Sequence, residues 1–384
     1  MAKFITRALL RQFENKVRPG KVLILLGARR VGKSELIASY LEGRDPDEYL
    51  LLNGEEQQTV NLFAERSIAN YQRILGHQKL LVIDEAQKIP EIGLKLKLIV
   101  DHLKDVAVIA TGSSMFDLSD RLGEPLVGRS NTLRLFPLAQ MEFNAYEKYP
   151  DTLARREERL IFGSYPELEQ YPDWRDKEDY LREVADAYLL RDLLEYDGVR
   201  RSEKLMDLLR LIAFQVGKEV SLDELANGLQ GISRNTVETY LDLLSKVFVI
   251  YQVRGFSRNL RKEVTKSSRW YFYDNGIRNA VINNFNRLDM RVDKGELWEN
   301  YLMAERMKFL SYERRHASQY FWRTYDQQEL DLVEEEAGEL RGFEFKWNIK
   351  RTIKAPGGWT RAYPEATFGV ITPDNYLDFI APQK

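Results

Sequence analysis

Eight residues from Gly27 to Ser34 read GARRVGKS, a glycine-rich segment that ends in a lysine and a hydroxyl side chain. Glycines let backbone amides approach an anion, and the N-terminus of a following helix favours negative charge there. In this spacing the lysine reaches the β- and γ-phosphates of a nucleoside triphosphate, and the serine hydroxyl binds Mg²⁺. We therefore predict that ATP is bound by Gly27, Arg30, Gly32, Lys33 and Ser34, and that Ser34 also holds the metal ion.

A second motif ends the apolar run LLVIDE, whose last two residues are Asp84 and Glu85. A carboxylate at the end of such a strand suits Mg²⁺, and a neighbouring carboxylate can orient and deprotonate an attacking water. Asp84 is accordingly predicted as a metal ligand and Glu85 as a catalytic residue. The other interpretation of Glu85 is a strand-end carboxylate without a catalytic role, which the complete glycine-rich motif upstream disfavours.

Two further residues have two interpretations each. ATGSS ends the next apolar run, so Thr111 could place a hydroxyl beside the γ-phosphate or belong to a helix cap. Arg129 precedes the fifth apolar run and could act as an arginine finger on the nucleotide of a neighbouring subunit. A surface arginine is the equal alternative for Arg129.

A predicted hairpin between residues 329 and 347, ELDLVEEEAGELRGFEFKW, brings acidic residues together. Alternating apolar and charged residues flank Ala337-Gly338, which is typical of two strands joined by a tight turn. A turn centred there places Asp331 directly across from Glu344. Two like charges in that position destabilise the pair unless something lies between them, either a metal ion or the water of a solvated face.

The composition limits the function without choosing one. The 384 residues include 57 Lys and Arg against 59 Asp and Glu, so the formal charge of −2 does not by itself require nucleic acid. The absence of cysteine excludes disulfides, thiolate catalysis and cysteine zinc sites. No secretory signal and no run of about 18 apolar residues is found, so we expect a cytoplasmic protein without a membrane span.

The elements that must position these residues follow a change of pattern along the chain. Five apolar runs alternate with helical stretches in the first part, as in a parallel sheet buried on both faces. We predict an α/β fold in which residues 1–150 form a P-loop parallel-sheet ATPase domain. A helical connector follows at 151–202, then a winged-helix segment of three helices and two strands at 203–285, then an α/β domain at 286–384.

Basic residues of the winged-helix segment indicate DNA as a partner. Arg234 and Asn235 lie near the start of the third predicted helix, where base or phosphate contacts are usually made. Arg258, Arg261 and Lys262 belong to a basic stripe that could contact phosphates. The alternatives are a solvated β-ribbon and a winged helix that contacts protein.

Together the motifs resemble a known family. They are the P-loop with its RR pair, DEAQ at 84–87, TGSS at 111–114, GR at 128–129 and FPL at 136–138. This set is similar to prokaryotic AAA+-like P-loop ATPases that carry a C-terminal domain of unknown function, and the resemblance covers nearly the whole chain. GSYPE at 163–167 and DNG at 274–276 depart mildly from the GGxPE and DTG of that family.

The resemblance implies a C-terminal fold similar to restriction-endonuclease-like, or PD-(D/E)XK, nucleases. Nucleases of that fold use a carboxylate on an early helix, an Asp on one strand and Glu-x-Lys on the next, with the acids holding Mg²⁺ or Mn²⁺. The matching positions here are Glu299, Asp331, Glu344 and Lys346. The alternatives are the charged face of a half-solvated strand and a scaffold that has lost catalysis.

We therefore expect an Mg²⁺-dependent ATPase whose nucleotide state controls a DNA-associated winged-helix and nuclease-like module, with a second Mg²⁺ or Mn²⁺ at the nuclease-like site. The competing hypothesis is a nucleotide-dependent protein-interaction switch with a catalytically inactive scaffold. A third is an autonomous nuclease regulated by ATP. The expected partners are ATP, DNA and either another protein or further copies of the chain, without a membrane.

Overall fold

The computed structural model describes residues 5–114, 126–189, 202–257, 268–349 and 352–381. The chain divides into two compact units. The N-terminal unit consists of Thr6–Phe136 with Lys246–Phe248, and the C-terminal unit consists mainly of Pro137–Ser245 and Val249–Lys384. Among the described residues, no helix is both long and apolar enough to cross a bilayer.

In the described part of the N-terminal unit, a five-stranded parallel sheet has the order β2-β3-β4-β1-β5. Its strands are β1 (Val22–Leu26), β2 (Tyr49–Asn53), β3 (Leu80–Asp84), β4 (Ala107–Gly112) and β5 (Ser130–Arg134). They coincide with the five apolar runs. β1 and β4 are buried at every position, as expected of strands covered on both faces, whereas the outer strands β2 and β5 are only partly buried. The predicted parallel-sheet fold is confirmed.

Helices precede and connect the strands of this unit. They are α1 (Leu10–Lys16), α2 (Lys33–Leu41), α3 (Gln57–Leu62), α4 (Ile68–Leu75) and α5 (Ile92–His102). A 3₁₀ turn at Ala86–Lys88 follows β3. β1 lies between β4 and β5 in the sheet. Its carboxyl end therefore belongs to the edge at which parallel α/β sheets place their ligands.

The division between the units falls at Phe136 rather than at residue 150, the boundary expected from the sequence. The segment after Phe136 is bonded within the C-terminal unit. The Leu138 amide donates to the Ser164 carbonyl at 2.8 Å, and Lys308 Nζ donates to the Leu138 carbonyl at 3.1 Å. These bonds explain why residues after Phe136 belong to the C-terminal unit.

The C-terminal unit is mixed α/β. Its helices are α6 (Gln140–Phe143), α7 (Tyr149–Phe162), α8 (Trp174–Glu183), α9 (Ser202–Phe214), α10 (Leu222–Leu229), α11 (Arg234–Lys246), α12 (Asn275–Val281), α13 (Lys294–Tyr312), α14 (Gly357–Ala362) and α15 (Tyr376–Ile380). Its strands are β6 (Glu219–Val220), β7 (Ile250–Gly255), β8 (Ser268–Phe272), β9 (Ser318–Arg323), β10 (Glu329–Glu336), β11 (Glu339–Phe345) and β12 (Thr367–Ile371).

Among the described residues, one seven-stranded sheet contains these strands in the order β12-β11-β10-β9-β7-β8-β6. β7 pairs with β8 in the antiparallel sense and with β9 in the parallel sense, through Arg254 with Tyr320 and Gly255 with Phe321. The sheet therefore joins strands of the segment predicted as a winged helix to strands of the segment predicted as nuclease-like. No boundary between sheets falls at residue 285.

The hairpin β10–β11 has the predicted turn and register. Ala337 and Gly338 adopt φ of 52° and 86°, the left-handed pair that a two-residue hairpin turn needs. The pairing runs from Glu336 with Glu339 to Leu332 with Phe343. This register agrees with the predicted one as far as Leu332 and Phe343, and beyond it the Phe345 amide donates to Asp331 Oδ2 at 2.7 Å.

The two loops that depart from the family pattern, GSYPE at 163–167 and DNG at 274–276, are hydrogen-bonded to each other. Asp274 is buried and accepts hydrogen bonds from the amides of Ser164 and Gly276, each at 2.8 Å. Gly163 has φ of 71°, and a Cβ there would lie 1.9 Å from Asp274 Oδ1. Burial raises the pKa of the Asp274 carboxyl, against the lowering effect of nearby Lys308 and of these amides. The DNG and GSYPE loops therefore serve to hold α7 and α12 together.

Candidate functional site

The glycine-rich loop leaves β1 and turns directly into α2. Arg30 and Gly32 have φ of 64° and 92°, so the loop has a left-handed residue on each side of Val31. A Cβ on Gly27 would lie 2.3 Å from the Leu135 carbonyl oxygen, which explains a glycine at the start of the motif. The backbone thus has the compact form in which loop amides can face an anion.

Lys33 is the first residue of α2, and its side chain is buried inside the loop with 6% exposed. Its Nζ donates to the carbonyl oxygens of Gly27 at 3.0 Å and Ala28 at 3.2 Å. Nζ also lies 3.8 Å from Glu85 Oε1. The loop therefore wraps around the ammonium group that is predicted to bind phosphate.

Asp84 ends β3 and is held by hydroxyl groups. Ser34 Oγ donates to Asp84 Oδ2 at 2.7 Å, and Thr111 Oγ1 donates to Asp84 Oδ1. Thr111 is fully buried, and its hydroxyl also accepts the Glu85 amide at 3.0 Å. Thr111 therefore orients the two carboxylate residues through its hydroxyl, and its place beside the γ-phosphate stays a prediction.

Glu85 stands in a left-handed backbone conformation, with φ of 48°, directly after the strand. Gln87 Nε2 donates to Glu85 Oε2 at 2.6 Å and to Ser113 Oγ at 3.3 Å. Gln87 Oε1 is buried and has no hydrogen-bond partner in the described part of the chain. In the sequence Gln87 stands out only as part of the DEAQ motif, and its spacing of two residues from Glu85 is the signal of this role.

These residues fit ATP with Mg²⁺. The loop supplies close backbone approach, Lys33 supplies positive charge for phosphate, and Ser34 with Asp84 forms an adjacent pair of oxygen ligands. Bound Mg²⁺ would supply positive charge to the phosphate oxygens. Glu85, held by Gln87, could accept a proton from an attacking water.

Arg129 lies apart from this constellation. It directly precedes β5, and its carbonyl accepts the amide of Val22 at the opposite, amino-terminal end of β1. Its Nε donates to Asp101 Oδ1 at 2.6 Å. The structure therefore does not bring Arg129 to the nucleotide site of its own unit, and a role towards a neighbouring chain stays a prediction.

A second acidic cluster forms in the C-terminal unit, around the end of the hairpin. Lys346 Nζ lies 2.5 Å from Glu344 Oε1, and Asp331 Oδ2 accepts the Phe345 amide at 2.7 Å. Glu299, on α13, accepts a hydrogen bond from Tyr271 at 2.7 Å. Asp331 is only 7% exposed, so this carboxylate is not solvated, whereas Lys346 is 40% exposed.

Arg269, on β8, links this cluster. Its guanidinium lies 3.7 Å from Glu299, 2.9 Å from Glu329 and 3.7 Å from Asp331. The side chain is 5% exposed, and the guanidinium carbon lies 4.7 Å from the ring centre of Phe321. The sequence did carry a signal, because a single arginine in the apolar strand SRWYF indicates a buried, paired charge.

Burial dominates the protonation of these acids. It raises the pKa of Glu299 to about 8, and the charge of Asp331 adds to the effect. It also raises the pKa of Asp331 to about 6, with a further contribution from Glu344. Burial alone would lower the pKa of Arg269, but the surrounding phenol and carboxylates raise it on balance.

The cluster does not fit a second divalent metal. No group of three or more His, Asp or Glu side chains in the described ranges is arranged to hold a metal ion. Glu299 and Asp331 both face Arg269, and one oxygen of Asp331 is already bonded to the backbone. Glu299 and Asp331 therefore lie beside a guanidinium, while Glu344 is paired with Lys346.

The predicted DNA-binding residues are described only in part. Arg234 begins α11 with its side chain 61% exposed and lies 3.7 Å from Asp223, and Asn235 is also exposed. Arg258, Arg261 and Lys262 lie outside the described residues. Arg269, at the end of the predicted basic stripe, is buried and therefore does not belong to a phosphate-binding surface.

The parallel sheet, the wrapped Lys33 and the Ser34–Asp84 pair define the N-terminal unit as a P-loop ATPase domain of the AAA-like class. Three family models match the chain in succession. Residues 19–144 match an AAA domain, residues 154–288 match "Domain of unknown function (DUF8612)" and residues 294–376 match "Domain of unknown function (DUF4143)".

Similar proteins occur in archaea and bacteria. The chain is 24% identical over 317 residues to the uncharacterized protein MJ1544 of Methanocaldococcus jannaschii, covering 78% of this chain and 69% of the relative. It is 28% identical over 329 residues to the uncharacterized protein Rv2008c of Mycobacterium tuberculosis, covering 85% and 70%. Domain III of the Thermotoga maritima replication initiation protein DnaA is 18% identical, covering 60% of this chain and 95% of that one, with a TM-score of 0.30, too low to support an argument.

Proposed function

We propose that the chain is an Mg²⁺-dependent ATPase whose nucleotide state controls a DNA-associated module in its C-terminal unit. The observation that carries the ATPase part is the hydrogen-bonded set at the strand ends. Ser34 and Thr111 hold Asp84, while Gln87 holds Glu85, beside a lysine enclosed by the loop. These contacts support a site in which Asp84 holds the metal ion, Glu85 acts as the base and Lys33 binds phosphate.

Two variants test the ATPase. Lys33→Ala should abolish ATP binding, because it removes the charge that the loop encloses. Glu85→Gln should keep ATP affinity but lower kcat by about 100-fold or more, since it removes the proton acceptor. ATP affinity is measured by calorimetry and hydrolysis by phosphate release. Unchanged ATP affinity in Lys33→Ala would contradict the proposed binding site.

The DNA-associated part is supported by the order of elements and by exposed charge. The order α9, β6, α10, α11, β7, β8 is that of a winged helix, with β6 pairing β8. Arg234 and Asn235 are exposed at the start of α11, the position from which a recognition helix contacts DNA. The nuclease-like proposal is supported by the assembly of Glu299, Asp331, Glu344 and Lys346 at one place.

The second candidate is a nucleotide-dependent interaction switch with an inactive nuclease-like scaffold, and the burial of Arg269 among the acids favours it. Plasmid and single-stranded DNA are incubated with Mg²⁺ or Mn²⁺, with and without ATP, using wild type and Lys346→Ala. Cleavage that is lost in Lys346→Ala supports a nuclease. Absence of cleavage, of salt-dependent DNA binding and of ATPase stimulation by DNA supports the switch.

A further inference from the structure

The acidic cluster of the C-terminal unit contains a cation of its own. Four carboxylates, those of Glu299, Glu329, Asp331 and Glu344, are accompanied by Arg269 and Lys346. Lys346 is 40% exposed at the rim, whereas Arg269 is 5% exposed inside. Of the two cations, Arg269 is therefore the one that lies among the inner carboxylates.

Arg269 is a permanent counter-ion in this place. A guanidinium stays protonated in proteins, so its charge cannot be released to make room for another cation. Three carboxylates lie within 3.7 Å of its nitrogens, and the ring of Phe321 covers it at 4.7 Å. Moving it out would leave a buried charge pair broken, which is strongly destabilising.

The two inner acids each have an additional bond that fixes them towards Arg269. Tyr271 donates to Glu299 Oε1, the same oxygen that faces Arg269 at 3.7 Å. The Phe345 amide donates to Asp331 Oδ2, which leaves Oδ1 to face Arg269 at 3.7 Å. A divalent ion entering between these carboxylates would meet the guanidinium at the same position.

We propose that the cluster is a latent divalent-metal site that the Arg269 guanidinium closes, so that the wild-type chain binds no Mg²⁺ or Mn²⁺ there. Without the guanidinium, the carboxylates that now face it can move together around a hard divalent cation with oxygen ligands. This inference goes beyond ATP hydrolysis and does not depend on it.

The first test uses the wild-type chain. Mn²⁺ is titrated without nucleotide, and bound ion is counted by electron paramagnetic resonance in wild type and in Asp331→Asn. The two proteins should bind the same amount of Mn²⁺. An additional bound Mn²⁺ in wild type that Asp331→Asn loses would overturn the proposal.

The second test opens the site. Arg269→Ala should gain a Mn²⁺ that wild type lacks, and Mn²⁺ should raise its melting temperature, because a ligand that binds only the folded state stabilises it. Arg306→Ala is the matched control, since Arg306 is also a buried arginine but pairs with the single carboxylate of Glu334, at 2.7 Å. Mn²⁺ should not stabilise Arg306→Ala.

Failure of the second test is also informative. A folded Arg269→Ala that gains no Mn²⁺, or one that Mn²⁺ stabilises no more than it stabilises Arg306→Ala, would overturn the latent site. If Arg269→Ala does not fold at any Mn²⁺ concentration, Arg269→Gln is used in its place. The comparison of wild type with Asp331→Asn remains decisive in that case.

Discussion

The two units each contain a group of carboxylates, and the groups differ in what holds them. In the N-terminal unit, Asp84 is held by the hydroxyls of Ser34 and Thr111, which are neutral. In the C-terminal unit, Asp331 faces the guanidinium of Arg269. Neutral donors orient a carboxylate without offsetting its negative charge, so the carboxylate can still bind a metal cation. A buried cation beside the carboxylate offsets that charge.

The comparison shows that the number of acids does not decide whether a metal can bind. The C-terminal cluster has more carboxylates than the pair Asp84 and Glu85, yet its inner acids face a guanidinium, and no group of acids in the described ranges is arranged to hold a metal ion. In the N-terminal unit, Lys33 contacts Glu85 at 3.8 Å and leaves Asp84 to the hydroxyls. The sequence motifs identify the acidic residues, but only the structure shows which groups pair with their carboxylates.

The same substitution, Asp to Asn, is made in both groups and should affect ATP hydrolysis in only one of them. Asp84→Asn should lower Mg²⁺-dependent kcat/KM for ATP on the order of 100-fold, because it removes a charged oxygen ligand from the proposed metal site. Asp331→Asn should leave ATP hydrolysis unchanged. Both variants are measured by phosphate release at several Mg²⁺ concentrations. Equal losses in the two variants would show that the groups do not act separately.

A smaller effect is expected from the residue that orients Glu85. Gln87→Ala removes an amide that donates to the carboxylate at 2.6 Å, and such a bond to a charged group corresponds to a loss of roughly 10-fold in kcat. The KM for ATP should stay constant, because Gln87 acts through Glu85. Ser113→Ala, which removes only the longer 3.3 Å contact, is the control and should lose less. A changed KM with constant kcat would contradict this role.

The smallest effect concerns stability and pH. The pKa of Glu299 is raised to about 8 in the folded chain from an ordinary value of 4.5, so the folded state binds this proton more tightly than the unfolded state. The resulting stability is present below pH 4.5 and is lost as the pH rises through 8.

Glu299→Gln should remove this dependence. Glutamine mimics the protonated side chain and keeps an acceptor for Tyr271. The difference in unfolding free energy between the variant and wild type should change by at least about 1 kcal/mol between pH 5 and pH 9, in favour of the variant at high pH. Urea unfolding at both pH values measures it. Parallel pH profiles would show that Glu299 does not titrate in this way.

Local pattern predicted much of the fold. The five strands of the first sheet followed from apolar runs, and the hairpin register followed from the positive-φ pair Ala337-Gly338. Two strands were missed for physical reasons. β6 has only two residues, and β9, SQYFWR, lies between polar segments and lacks a clear alternation.

The two candidate sites also differ in how far the sequence alone predicts them. Lys33, Ser34 and Asp84 could be identified because their roles depend on short spacings and strand ends. The partners of Arg269 come from α13 and β10, at separations of 30, 60 and 62 residues, and no local pattern reports a contact over that distance. The structure was therefore needed to see that the acidic cluster of the C-terminal unit does not fit a divalent metal ion.

The pairing of β7 with β9 has a consequence for how this chain can be divided. A fragment that starts at residue 286 would lose β7 and expose the backbone donors and acceptors of β9 as a new sheet edge, which favours aggregation. Recombination during evolution faces the same restriction. The winged-helix-like and nuclease-like segments should therefore be inherited and exchanged as one block.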